Sequence, residues 1–341
     1  MREAMFYERV NNKVRCELCP RRCAIEPGKR GYCGVRENRE GKLYSLVFGK
    51  ACSVVIDPIE KKPFYHYIPG MQSLSVATVG CNLSCKHCQN WEISQTPRET
   101  GEIFGDDVSP EKLIEIAKRH GIKSFSWTYT EPTVFFEYFY ETAKLTKREF
   151  THNWVSNGFI AEKAAEAVAK HIDAVNIDYK GDDKFYREVC NAWLEPVHRA
   201  LKIYRKHGVW IEVTNLIIPG YNDRDDIILE MVRWIREHLG RETPLHFSAY
   251  YPAYRMEAPP TPRETLERAL KLADEYLDFV YVGNVRHERE STFCPNCKKL
   301  LIKRVGFFVE RIDLERRGNN FHCPECGRKI PIAGAEWMER I

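Results

Sequence analysis

The sequence predicts an α/β fold: a partial (β/α)6 barrel, with a small cysteine-rich segment before it and a second cysteine-rich module after it. Three features lead there. From about residue 72, short β-rich runs alternate with amphipathic helical stretches, the pattern of repeated βα units. The conspicuous polar motifs each follow a β-rich run, on the side where parallel βα folds bind ligands. Eleven of the 13 cysteines gather in three groups, four between residues 16 and 33, three between 81 and 88 and four between 294 and 326, which sets off both ends from the middle.

In chain order, the expected strands are Ser73–Val79, Ser124–Tyr129, Thr151–Ser156, Ala174–Tyr179, Trp210–Leu216 and Leu245–Tyr250, all rich in β-branched and aromatic residues. Phe279–Gly283 is a further apolar run that would close the edge. Between them Pro110–His120, Pro132–Lys147, Ala161–His171, Pro196–His207, Asp225–His238 and Pro262–Tyr276 read as helices. Ser109 and Thr261 stand before prolines at two helix starts, a capping signal. The boundaries follow: residues 1–70 as the cysteine-rich segment, 71–290 as the barrel, 291–341 as the C-terminal module. An open doubly wound sheet is the alternative use of the same elements.

Composition narrows the function. With 43% hydrophobic and 29% charged residues the chain reads as an ordinary water-soluble globular protein. A net charge of +4 is too small and too interspersed to argue for nucleic acid, though it does not exclude it. No apolar run reaches the ~18 residues of a spanning helix, so no membrane is expected. The first ten residues lack the apolar core of a signal peptide. Thirteen cysteines in an unexported chain point to metal ligation rather than disulfides, and to a reducing, anaerobic cytoplasm. Cys52 and Cys190 stand apart from the three groups and read as small buried hydrophobes.

The most informative run is Gly80-Cys81-Asn82-Leu83-Ser84-Cys85-Lys86-His87-Cys88. Its spacing lets one short loop place three thiolates around one inorganic cluster. A 4Fe–4S cluster ordinarily takes four thiolates, so three leave an iron open to a substrate or cofactor. The structural alternative is a zinc loop completed by His87.

Cys81, Cys85 and Cys88 resemble the C-x3-C-x-aromatic-C signature of the radical S-adenosylmethionine (SAM) superfamily, with His87 in the aromatic slot. The resemblance implies a partial barrel, a 4Fe–4S cluster on these three cysteines, and SAM chelated through its amino and carboxylate groups. Reductive cleavage of SAM would then release a 5′-deoxyadenosyl radical that abstracts hydrogen from a substrate. A reduced donor such as ferredoxin or flavodoxin would supply the electron.

The same resemblance, closest to the glycyl-radical-enzyme activases, implies a SAM shell. Thr130 and Glu131 stand where relatives carry a Gly-Gly-Glu motif that engages the SAM ammonium, with Tyr129 and Thr130 replacing the glycines. Glu131 as a simple cap of the helix starting at Pro132 is the plainer reading. Ser156 and Asn157 resemble a Thr-Asn-Gly turn that reaches ribose or carboxylate oxygens. Asp178 and Lys180 are similar to an Asp-Leu-Lys motif whose aspartate contacts a ribose hydroxyl or a monovalent cation and whose lysine contacts the SAM carboxylate. Pro219-Gly220-Tyr221-Asn222-Asp223 resembles a turn that helps to wall the adenine, and His246 stands where activases place a histidine against SAM. Trp91 is a candidate shield of the cluster, or ordinary packing.

Cys294-x2-Cys297 and Cys323-x2-Cys326 are two knuckles 25 residues apart, with β runs Leu301–Arg304 and Phe307–Ile312 between them: a zinc-ribbon-like module, with a rubredoxin-like iron as rival. Cys16, Cys19, Cys23 and Cys33 form a less regular four-thiolate set that suits structural zinc or a second iron–sulfur cluster, with zinc preferred. The whole arrangement resembles the AmmeMemoRadiSam-system radical SAM proteins, labelled as pyruvate formate-lyase-activating-enzyme-like. That implies either a glycyl-radical activase acting on a protein partner, or radical modification of another protein, RNA or small molecule. A metal-stabilised adaptor without catalysis is the third reading.

Overall fold

The computed structural model describes residues 1–146 and 148–338. Its centre is an eight-stranded mixed sheet. Seven strands run parallel: β1 (Gln72–Ala77), β2 (Ser124–Trp127), β3 (Thr151–Ser156), β4 (Ala174–Asp178), β5 (Trp210–Ile217), β6 (Leu245–Ala249) and β7 (Val280–Gly283). They lie side by side in chain order without a reversal. A doubly wound sheet needs a point where the order reverses, so that alternative is not formed. An antiparallel edge strand, Ser53–Pro58, pairs with β1, and among the described residues it does not pair with β7 at the far edge, so the barrel is partial.

The six expected helices form as α1 (Pro110–Arg119), α2 (Phe136–Thr146), α3 (Glu162–Ala169), α5 (Glu195–Lys206), α6 (Asp225–His238) and α7 (Arg263–Asp274). The stretch expected as one helix from Pro132 begins with a tighter turn over Pro132–Phe135, and its last residue, Lys147, lies outside the described residues. A further helix, α4 (Asp183–Cys190), was not expected. Asp182 caps it by accepting from the Phe185 amide at 2.8 Å, and Phe185, Tyr186, Val189 and Cys190 form its buried stripe. Ser109 caps α1 as expected, accepting from the Lys112 amide at 3.2 Å. Thr261 does not cap α7: its hydroxyl donates to the Ile217 carbonyl at 2.6 Å and accepts from the Tyr250 amide. That ties the loop after β6 to the end of β5. Among the described residues no helix is long and apolar enough to cross a membrane.

The N-terminal residues form two small antiparallel sheets, and Val14, Leu18, Ile25 and Val35 are buried in the same core as the barrel. The C-terminal module is two further three-stranded sheets, one containing the hairpin Leu300–Val305/Phe308–Ile312. Its Leu301, Ile302, Phe321 and Ile330 share a second core with Phe64, Tyr65, Phe279 and Tyr281. Residues between the edge strand and β1 therefore bridge the barrel and the C-terminal module.

Candidate active site

The cysteine loop leaves β1 through Gly80. Its φ is +103°, and a Cβ there would stand 2.6 Å from Val35 Cγ1 and 3.2 Å from the Cys33 carbonyl, so glycine allows the loop to run against the N-terminal segment. Backbone bonds from Ser84 to the Cys190 carbonyl and from Lys86 to the Val189 carbonyl pin the loop to the end of α4. Arg98 donates to the Cys81 and Leu83 carbonyls at 2.8 and 2.9 Å.

The three thiols open into one cavity of about 330 Å³, enough for a small-molecule ligand. Thr130, Ser156, Asn157, Asp178, Lys180 and His246 also line it, so the loops after β1 to β4 and strand β6 converge as the sequence led one to expect. Cys81 Sγ accepts from the Leu83 amide at 3.4 Å and from Asn157 Nδ2 at 3.7 Å, and Cys88 Sγ lies 3.1 Å from Ser94 Oγ. Burial pushes the Cys81 and Cys88 thiols up, and Cys85 is raised first by its hydrogen bond with Cys190 and then by burial. Such thiols ionise when a metal takes the place of the proton, and donors aimed at sulfur then stabilise the thiolate. The donor set fits an iron–sulfur cluster.

Cys190 is not an isolated buried residue. It lies with Cys85 and His87 in a group whose ligand atoms are all within 4.8 Å of one another. His87 is buried, and its Nδ1 has no hydrogen-bond partner among the described residues. Cys81 and Cys88 are not in that group, so the zinc loop of three loop cysteines plus His87 is not the geometry formed.

Lys180 donates to Asp178 Oδ2 at 2.9 Å. Burial alone would lower its pKa, but Asp178, together with Cys85 and Cys190 when these are thiolates, more than offsets that and holds it well above the ordinary lysine value. Asn222 donates to the Lys180 carbonyl at 2.7 Å, so it buttresses that turn, and residues 219–223 do not line the cavity. His246 is fixed by Glu212, with Nε2 to Oε2 at 2.7 Å. Glu212 also accepts from the Tyr65 and His66 amides.

Glu131 lies behind the cavity wall instead of on it. Fully buried, it accepts from the Thr133 amide and hydroxyl, the Ser156 hydroxyl and the Asn157 amide, all between 2.6 and 2.9 Å. It caps the turn at Pro132, the plainer of the two readings, and holds the Ser156–Asn157 turn in place. Tyr129, where the resemblance expects glycine, has φ +67°, a conformation glycine favours. Asn90 Nδ2 donates to its carbonyl at 2.8 Å and its hydroxyl donates to Asp57, which together hold the strained residue. Trp91 stacks on Tyr254 at 5.5 Å, outside the cavity wall.

One wall was missed by sequence reasoning. Glu60, Lys61, Lys62 and Tyr65, from the segment joining the edge strand to β1, line the cavity opposite the strand ends. Lys62 donates to Asp57 at 2.7 Å and lies 4.1 Å over the Tyr129 ring; burial pulls its pKa down to about 8 against the pull of Asp57. Arg304 of the C-terminal module holds this segment from behind. It donates to the Tyr65 carbonyl at 2.7 Å and pairs with buried Glu60 at 3.5 Å. Phe307 of the same module reaches the cavity wall. The four C-terminal thiols lie within 4.8 Å of one another, with Sγ–Sγ distances of 3.6 Å (Cys294–Cys326) and 3.5 Å (Cys297–Cys323). Zn–S bonds of ~2.3 Å in a tetrahedron place sulfurs about 3.8 Å apart, so this set suits a single ion.

Residues 75–235 match the family model described as the Radical SAM superfamily. The chain is 49% identical over 337 residues to an uncharacterized protein of Methanocaldococcus jannaschii, spanning 97% of this chain and 99% of that one. It is 24% identical over 256 residues to a probable GTP 3′,8-cyclase of Pyrococcus horikoshii, spanning 67% of this chain and 79% of that one. Among solved structures, SuiB of Streptococcus suis bound to S-adenosylmethionine superposes with a TM-score of 0.49 at 15% identity, covering 61% of this chain and 49% of that one.

Proposed function

The chain belongs to the radical SAM superfamily, and we propose that it is an enzyme that cleaves SAM reductively in the cavity described above, with Cys81, Cys85 and Cys88 as the cluster ligands. The observation that carries the reading is convergence: three thiols on one loop share a cavity with Asp178, Lys180, Asn157 and His246 from three other strands or strand ends. When bound, the cluster supplies the single electron that splits SAM into methionine and a 5′-deoxyadenosyl radical.

The chain's own residues bind and orient SAM. Lys180, kept protonated by Asp178, faces the SAM carboxylate through a charge-assisted hydrogen bond. Asp178, whose side chain is 40% exposed, takes a ribose hydroxyl. Ser156 and Asn157 serve the ribose or carboxylate oxygens. The strand edge at Thr130 takes the ammonium, and Glu131 is a positioning residue that fixes that edge against the Ser156–Asn157 turn. His246 is presented at the wall by Glu212. A low-potential donor of the ferredoxin or flavodoxin class reduces the protein in the cytoplasm.

For the substrate, our reading is a glycyl-radical activase acting on a protein partner. Phe307 on the cavity wall and the 67%-exposed Phe308 beside it in sequence support a macromolecular substrate over a small one. A radical doublet in the electron paramagnetic resonance spectrum of a co-purified partner would support the activase. Modification of another class of molecule is the competing outcome. Cleavage itself is tested by supplying reductant and SAM without air and measuring 5′-deoxyadenosine by chromatography. Wild type should form it and Cys85→Ala should not. Equal product from both, or none from cluster-loaded wild type as the adaptor reading requires, overturns the proposal.

A further inference from the structure

The geometry points to an iron–sulfur cluster, not zinc, on Cys16, Cys19, Cys23 and Cys33: a second cluster lodged behind the first. This reverses the preference for zinc drawn from their spacing, and it does not depend on SAM cleavage. All four thiols line one small chamber of about 20 Å³, together with Ile25, Arg36 and Asn82.

Two features separate this chamber from the C-terminal zinc site. The first is sulfur spacing. The C-terminal four thiols crowd within 4.8 Å of one another, as a single tetrahedral ion requires. Among the described residues no three of the N-terminal four do so, and neither do Cys81, Cys85 and Cys88. Sulfurs bound to different irons are held apart by the width of the inorganic core, and neither the N-terminal set nor the cluster loop shows the close approach of a single-ion site. The second is the space itself. Thiolates converging on one ion at ~2.3 Å leave no gap between them, whereas here a chamber of about 20 Å³ lies among the four cysteines.

The walls supply what such a core needs. Arg36 is buried, and although it is paired with Glu137, its Nε–H has no partner among the described residues. An anionic core of sulfide and thiolate would accept it. The Tyr32 amide already donates to Cys23 Sγ at 3.4 Å. The chamber abuts the first site directly. Asn82 belongs to its wall and to the cysteine loop, Arg21 donates to the Asn82 carbonyl at 2.6 Å, and Gly80 passes close to the Cys33 carbonyl.

The test counts metals in the full-length chain after anaerobic reconstitution with iron and sulfide. A Cys81→Ala/Cys85→Ala/Cys88→Ala variant should keep equal iron and acid-labile sulfide, about two to four of each per chain, with visible charge-transfer absorption and about one zinc. Adding Cys19→Ala and Cys33→Ala should remove that iron and leave the zinc. An iron-free triple variant overturns the proposal, whatever its zinc content. If the triple variant does not fold, wild type decides. More than about four irons with one zinc supports a second cluster, whereas about four irons with two zincs excludes it.

Discussion

The cysteine loop after β1 and the paired knuckles at the C-terminus spend the same side chain in opposite ways. At the knuckles four thiols close on one point, with sulfurs 3.5 and 3.6 Å apart across the pair of turns. At the loop, three thiols are spread along the wall of a cavity of about 330 Å³ that also receives charged and amide side chains from other strands. A saturated tetrahedron has no position left for a substrate, whereas an incomplete set has one. On the reading proposed above, the first arrangement serves folding and the second chemistry. The difference also shows in the surroundings: the loop thiols are met by Asn157, Ser94 and Cys190 from elsewhere in the fold, while the knuckles answer mainly to each other.

The largest effect that would sharpen this contrast is at the C-terminal knuckles. Cys323→Ala should release the metal these four cysteines suit, expected as zinc, and unfold the C-terminal module, since so small a core depends on its metal. Iron in the loop should be retained, because the two sites share no ligand. Cavity function should nevertheless fall, because Arg304 no longer braces Glu60 and Tyr65. Zinc and iron analysis with limited proteolysis reads both outcomes, and loss of both metals together would break the comparison.

A smaller effect probes whether the loop is truly incomplete. Cys190 lies beside Cys85 and is the nearest candidate for a fourth thiolate. Cys190→Ala should cost about 1 kcal/mol of stability for lost packing and leave the iron count and SAM response unchanged. If iron is lost in proportion, the loop is a closed four-thiolate site and the contrast fails.

The smallest effect follows pH. His66 is buried against Phe279 and Tyr281 of the core shared with the C-terminal module, donating through Nδ1 to the Pro331 carbonyl, with Nε2 hydrogen-bonded to Tyr281. Burial pulls its pKa down to about 4 from the ordinary 6.5. Between those values the unfolded chain binds a proton that the folded chain refuses, so stability falls as pH drops from about 6.5 to 4. His66→Gln should flatten that slope in denaturant titrations. An unchanged slope would assign the acid sensitivity elsewhere.

Much of the barrel was legible because its signals are local. Each strand, helix and rim motif occupies a contiguous stretch with its own period, and the rim follows from the alternation itself. Glu131 shows where that ends. Its place in the motif was readable, but its orientation depends on Ser156 and Asn157, about 25 residues away. The wall from Glu60 to Tyr65 was invisible for the same reason. It is built by Glu212 and Arg304, which lie 147 and 239 residues from Tyr65 in sequence and carry no periodic mark. Helix α4 was hidden by the polar run Asp182-Asp183-Lys184 at its start, which reads as loop until its apolar stripe finds the cysteine loop.

The open iron is the centre of the account, and the most direct measurement is the electron paramagnetic resonance spectrum of the reduced, anaerobically reconstituted protein with and without SAM. The component that disappears in Cys85→Ala should change its g values when SAM is added to wild type, because SAM then ligates the iron that no cysteine holds. A spectrum unmoved by saturating SAM would mean that the fourth position is already filled, and would contradict the account.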